Sequence, residues 1–309
     1  MITSIFKKST PINYSLMGIL MVLFFFLYQF HNATGANSLA VMVQKAGMLI
    51  ILFASLFLSN FIVKKNGLTK NSSYTILYYF LFLLFFPNIL NNINLLLANF
   101  FILLSMRRLV SLQTLNAPKE KIFDAALWIF VASLFQFWCI LFIILVYISI
   151  IFHVSRDYRN WLIPFVAFFA TAVIFVLYDL VIDKSAISTY LQSEVMNFQV
   201  DYFKNNYQNI AFSIYTVFVL FFIFPFIFTL TSKPLNLQAS YKKVIFTTLI
   251  GIVIFVISAN KSNELLVFTF LPMAIMTTNT IEYLQNKIQQ EIILALSIIC
   301  GFFCFFSQL

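Results

Sequence analysis

The chain has 309 residues, of which 62% are hydrophobic and only 9% charged, against about 25% charged in a soluble domain. With 41 Phe, 14 Tyr and six Gly, a soluble fold has nowhere to hide so much apolar surface, and lipid must cover the outside. The net charge of +9 does not point to nucleic acid, because the basic residues stand in ones and twos between apolar runs rather than on one polar face.

Residues 14–30 follow Lys7 and Lys8 without a small-residue cleavage site and read as a retained first span. Clear spans follow at 46–63, 160–181, 209–230, 244–259, 265–281 and 292–307. Two further apolar stretches, 74–106 and 124–154, hold 33 and 31 residues. Each is too long for one span of about 20 residues and short for two. Lys and Arg decide between these readings, since they favour the cytoplasmic side. If each stretch is a pair of short helices, the chain makes eleven spans with its N-terminus inside and its C-terminus outside. Of the 19 basic residues, 15 then lie inside, and only Lys45, Lys184, Lys204 and Lys261 lie outside. If both stretches are single spans, the split falls to 11 against 8.

The paired reading needs two turns. Pro87, Asn88, Asn91 and Asn92 supply the first, where Pro breaks the helix and the amides satisfy freed backbone groups. Gln136 and Trp138 supply the second, the tryptophan as an interfacial ring. Helices this short require a thinned bilayer or burial inside the bundle. Residues 107–123 read as a cytoplasmic, partly amphipathic segment, with Arg107, Arg108, Lys119 and Lys121 set against anionic lipid heads. Residues 182–208 form the longest outer loop, with a short amphipathic helix expected near 186–200. The fold class is therefore all-α, a polytopic transmembrane bundle of about eleven spans. No repeat or soluble segment divides it, and 1–309 reads as a single transmembrane domain.

Several chemistries are excluded. Two histidines, His31 and His153, on opposite sides cannot build a membrane di-iron site. No phosphate loop, G-x-S-x-G or H-E-x-x-H motif occurs. Cys139, Cys300 and Cys304 lie inside apolar runs and read as small buried residues, so no metal or cofactor is expected. An ion-coupled transporter needs ionisable groups deep in its spans, whereas the deepest polar candidates here are Asn94, Asn99 and Asp179. Pro164, Pro225 and Pro272 can kink spans, and a transporter or flippase stays as an alternative. Lys261 and Glu264 stand apart, because their loop of four or five residues holds both at the outer headgroup plane.

The stretches "FKKSTPINY" (6–14), "KIFDAALWIFVASLFQFW" (121–138), "SRDYRNWLIPFVAFF" (155–169) and "NELLVFTFLPMAIMTTNTIEY" (263–283) resemble an uncharacterised family of integral membrane proteins of flavobacteria and their relatives. That resemblance implies a bacterial inner-membrane setting. The layout is also similar to multi-span glycosyltransferases that use polyprenyl-phosphate sugars. Those proteins pair short helices in the N-terminal half and carry a base, a polar residue and a proline-ended apolar run in a late helix pair. Lys261, Glu264 and Pro272 in "KSNELLVFTFLPMAIM" match that order. The resemblance implies that Lys261, with Lys45 on the same side, holds a lipid phosphate. Such enzymes carry a catalytic acid in the first outer loop, and residues 31–45 here contain neither Asp nor Glu. The general base then falls to Asp179, Asp183 or Glu264, or the protein is a non-catalytic scaffold or assembly factor of the envelope. Membrane lipids, with a polyprenyl-phosphate carrier among them, are the partners this implies.

Reporter fusions at Leu115 and Ser193 are expected to report opposite sides of the membrane. The same side at both positions removes the second helix pair.

Overall fold

A computed structural model describes residues 2–32, 39–181, 187, 190, 198, 205–259 and 261–309, and contains no strand among them. The helices are α1 (Ile2–Phe6), α2 (Pro11–His31), α3 (Leu39–Lys65), α4 (Tyr74–Phe85), α5 (Ile93–Ser111), α6 (Pro118–Phe135), α7 (Ile143–His153), α8 (Arg159–Val181), α9 (Asn206–Phe228), α10 (Leu235–Ile257), α11 (Phe270–Tyr283) and α12 (Lys287–Ser307). Among the described residues, eight segments are long and apolar enough to cross a membrane. They are α2, α3, α5 with its following turn, α8, α9, α10, α11 with its preceding turn, and α12. The chain is a multi-pass membrane protein. The helix expected at 186–200 lies outside the described residues, save for positions 187, 190 and 198.

The helices outrun the apolar runs because their ends are set by caps and prolines. Pro11 and Pro118 open α2 and α6 in the first helical turn, where the missing N–H costs nothing. The side chains of Asn205 and Asn286 accept the backbone N–H groups of Tyr207 and Ile288, each at 3.0 Å, and cap α9 and α12. Pro234 precedes α10, which therefore begins at Leu235, well before the apolar run at 244.

Both long apolar stretches break where the turn residues predicted. A 3-10 turn over Pro87–Asn91 separates α4 from α5, and the Asn92 side chain accepts the Leu95 N–H at 3.2 Å. A second 3-10 run, Phe137–Phe142, separates α6 from α7 after Gln136 leaves the helical conformation. Trp138 is not an interfacial ring: it is 6% exposed. Residues 107–123 are mostly helical. Helix α5 carries Arg107 and Arg108 to Ser111, and α6 restarts at Pro118 after a short connection. In that connection Leu115 and Ala117 adopt left-handed φ values of 54° and 46°. Two of the segment's charges also meet protein groups: Arg108 pairs with Asp124 at 2.7 Å, and Lys121 Nζ donates to the Ser111 carbonyl at 2.8 Å.

The chain clusters into two compact units. The first contains residues 1–96, 203–232 and 269–309 and is organised around α4. All twelve residues of α4 are buried, beneath α2, α3, α9, α11 and α12. Its ends are satisfied by other segments. The Ser73 N–H donates to the Phe6 carbonyl at 2.8 Å, and Gln308 Nε2 donates to the Phe85 carbonyl at 2.9 Å. Thr75 bonds Thr278 at 3.2 Å, and Tyr78 bonds Ser297 at 3.3 Å. Tyr215 meets Phe82, Phe85 and Phe86 edge to face, Phe86 stacks on Phe270, and Tyr215 shares a 2.6 Å hydrogen bond with Thr269. Gly301 lets α12 lie close, since a Cβ there would stand 3.3 Å from Leu81.

The second unit contains residues 97–202 and 233–268. Its tightest pair is α6 against α8. Ala126 and Ala167, both fully buried, bring the two backbones together around Phe130.

Phe82→Ala is expected to cost about 3–5 kcal/mol by opening a cavity beneath α4. Phe169→Ala, at an α8 side chain 64% exposed, should stay within about 0.5 kcal/mol. Unfolding in detergent measures both, and equal losses would deny α4 its central place.

Candidate functional site

The outer candidates sort by the element that holds them. On α8, Phe168, Thr171, Ala172, Phe175, Val176 and Asp179 recur at spacings of three and one, which puts them in one helical stripe. The first five line a cleft of about 320 Å³ between α8, α6 and the 137–142 run. The α6 side brings Phe130, Ser133 and Leu134, and the run brings Phe137 and Ile140. Its lining is almost wholly apolar. Asp179 continues the stripe one turn beyond the cleft.

The carboxylate has a definite task. Asp179 Oδ1 accepts the backbone N–H of Ile187 at 2.9 Å. Tyr190, from the same segment, donates its hydroxyl to the Ser133 carbonyl at 3.1 Å and sets its ring 5.4 Å from both Phe137 and Phe175. Ile187 and Tyr190 are themselves walls of the cleft, so Asp179 helps to hold one wall in place. Asp179 has no described bond to Lys261 or Glu264.

Lys261 and Glu264 lie where the apolar runs predicted, after α10 ends at Ile257 and at the start of a 3-10 run over Asn263–Thr269. Glu264 falls in the first turn of that run, where a carboxylate favours the open N–H groups. Both side chains are half-buried. Phe268 from the same run packs on Phe142, with ring centres 6.0 Å apart. Lys45 belongs to the first unit, near the start of α3, and is half-buried. Asp183 lies outside the described residues. Among the described residues no group of three or more His, Cys, Asp or Glu stands close enough to hold a metal.

Sequence reasoning missed one polar centre. Lys243 read as part of a cytoplasmic loop, but α10 starts early enough to place it on the helix, where it is fully buried. Its Nζ donates to the Leu109 carbonyl at 2.6 Å and lies 3.1 Å from His153 Nε2. Leu109 is in the last turn of α5, whose final carbonyls have no intrahelical partner. Lys243 and Lys121 thus close the negative end of that helix. The helical spacing of Ser240, Lys243 and Thr247, all buried, carried the signal. It was hidden because the apolar run begins only at Val244. Outside the spans, the Arg159 backbone N–H and the Lys119 ammonium, 3.2 Å away, hold the Asp157 carboxyl below the usual carboxylate range. Among the described residues the Trp138 indole N–H and the Ser55 and Ser105 hydroxyls are buried without a hydrogen-bond partner.

A family model described as "Family of unknown function (DUF6427)" matches residues 1–309, and the chain belongs to that family. No curated protein and no solved structure matches it. The likeness to polyprenyl-phosphate-sugar transferases has no counterpart among these matches and rests on the quoted motif alone.

Lys243→Met is expected to destabilise the protein by about 1–3 kcal/mol, because it leaves a buried carbonyl and a ring nitrogen without their donor. Adding His153→Phe should recover part of that loss, since the ring nitrogen is then gone and only the Leu109 carbonyl stays without its donor. Thermal unfolding of the single and double variants measures it, and purely additive losses would mean that the two side chains do not interact.

Proposed function

We propose that this member of the DUF6427 family is a bacterial inner-membrane protein of the cell envelope that handles a lipid-linked sugar at the periplasmic face, in the manner of polyprenyl-phosphate-sugar transferases. The eleven-span topology, with the N-terminus in the cytoplasm and the C-terminus in the periplasm, is part of this reading and rests on the 15-to-4 division of basic residues. The observation that carries the activity is the α8 cleft, an apolar slot with an ionisable group in the same helical stripe. Its volume is at the small end of the range for ligand sites, enough for part of an isoprenoid chain. Val173 and Leu177, on neighbouring turns of α8, are more than half exposed, so a lipid can approach the helix from the side.

In this reading Lys261 pairs with the carrier's phosphate as a charge-assisted donor. The acceptor hydroxyl oxygen attacks the anomeric carbon of the sugar, and the bond from that carbon to the phosphate oxygen breaks. Lipid phosphate leaves with the bonding electrons. Asp179 takes the hydroxyl proton through its second carboxylate oxygen, with Asp183 and Glu264 as the other candidates for the base.

A second reading, a non-catalytic scaffold or assembly factor, draws support from the same carboxylate. Asp179 Oδ1 is bound to a backbone N–H, as a structural tie would be, and residues 31–45 lack an acid.

Asp179→Asn, Lys261→Gln and Ala172→Trp, each at normal protein level, distinguish the two. Transfer predicts that lipid-linked sugar accumulates in all three. Loss of the base should lower turnover by about 10²–10⁴-fold, and the indole should fill the slot. Unchanged surface glycans and lipid-linked intermediates in all three leave the scaffold.

A further inference from the structure

One end of the first unit holds a polar cleft that the reading above does not use. Its walls come from four parts of the chain: Lys7 after α1, residues 70–74 before and at the start of α4, the end of α11, and the first turn of α12. The cleft has a volume of about 280 Å³. Lys7, Lys70 and Lys287 line it with one acid, Glu282, while a second acid, Glu291, one turn further along α12, accepts the Thr3 backbone N–H at 3.3 Å and the Thr3 hydroxyl, so three positive charges stand near two negative ones that are both already hydrogen-bonded.

The acid is already engaged. Glu282 Oε2 accepts the Lys70 backbone N–H at 2.8 Å, and Oε1 accepts the Ser72 hydroxyl at 2.6 Å. These bonds turn the carboxylate toward the 70–72 segment and hold that wall to α11. Lys70 Nζ donates to the Glu282 carbonyl at 3.1 Å and stands 5.3 Å from the centre of the Tyr283 ring. The ammonium has further protons to donate. Lys7 and Lys287 are exposed, and no described hydrogen bond or ion pair engages their ammonium groups.

A second observation points to an anion. Lys287 is the first residue of α12, and the first turn of that helix contains no acid. A cation at the positive end of a helix dipole is unfavourable by itself, and Asn286 caps only the Ile288 N–H there, so the dipole favours a negative ligand. A bound anion would answer the dipole and the lysines together. A third observation concerns its source. From the cleft, Ile288, Ile292, Leu296 and Ile299 continue along α12 as a row of side chains 53–64% exposed. The row follows helical spacing along a span, as a surface for acyl chains would.

We infer that this cleft binds the phosphate of an anionic lipid headgroup, with the lipid chains lying along α12. On the topology proposed above, the lipid belongs to the cytoplasmic leaflet, where anionic headgroups draw clustered lysines. The site shares no residue with the α8 cleft, so it stands or falls apart from Asp179 and Lys261.

The test uses the full chain in a non-ionic detergent and three probes: dioctanoyl phosphatidate, dioctanoyl phosphatidylcholine and inorganic phosphate. Phosphatidate should bind saturably, and the double variant K7Q/K287Q should weaken it at least about tenfold, the scale of one lost charge-assisted bond. K7R/K287R should retain binding, and K242Q, an exposed lysine outside the cleft, should leave it unchanged. Phosphatidylcholine, whose choline sets a cation against the lysines, should bind far more weakly. Equal binding of phosphatidylcholine, or unchanged phosphatidate affinity in K7Q/K287Q, overturns the proposal. Inorganic phosphate binding as tightly as phosphatidate, with the same lysine dependence, overturns the lipid source and leaves a soluble phosphate as the ligand.

Discussion

A helix of twelve residues is about 18 Å long, and the hydrocarbon it would have to cross is about 30 Å thick. Lipid cannot satisfy the backbone groups left at the ends of such a helix. The first unit depends on how α4 meets this constraint. Five helices cover its sides, the Phe6 carbonyl takes the N–H at its start, and the Gln308 amide takes a carbonyl at its end. The 3-10 turn over Pro87–Asn91 then carries the chain on, tied by Tyr28 to Asn88 and by Gln29 to the Leu90 carbonyl, each at 3.1 Å. The segments around Phe6 and Gln308 are thereby tied to the ends of α4, where they supply an acceptor and a donor.

The same economy governs the polar residues. Asn13 donates to the carbonyls of Ile5 and Lys8, and Asn279 donates to the carbonyl of Leu68. Lys243 does for the end of α5 what Gln308 does for α4. Each of these side chains is mostly or wholly inside, and each meets a backbone group at a helix end or a connection. In a bundle without a hydrophobic force between helices, packing and such bonds hold elements together. A buried polar residue in this chain is therefore more often a tie than a reactive group, and Asp179 partly follows that pattern through its bond to Ile187.

Two features depart from it. The α8 cleft is apolar where its neighbours pack solidly, and its stripe ends in a carboxylate with one oxygen uncommitted. The lysine-rich cleft has more cations than its acid can answer, and that acid is held by a backbone N–H and a hydroxyl. Each is an arrangement that internal packing alone does not require. The first is the slot proposed above for a lipid carrier's chain, and the second is the cleft proposed for a phosphate.

The sequence by itself determined the helical class, the membrane setting and the two breaks. Composition and charge are local properties, and Pro87, Asn92 and Gln136 act on the backbone within a turn of where they stand. It also placed Lys261 and Glu264 at the mouth of a span, since only five residues separate α10 from the next helical run. The tertiary structure decided what hydropathy cannot distinguish. An apolar residue facing lipid and one facing another helix look alike in sequence, so the complete burial of α4 and the exposure of α8 were not legible. Nor was the fate of the charges. Lys243 and Lys242 are adjacent and chemically equal, yet 100° of helical rotation sends one into the bundle and leaves the other exposed. Lys7, Lys70, Glu282 and Lys287 are spread over the length of the chain, and the meeting of helix ends brings them to the walls of one cleft.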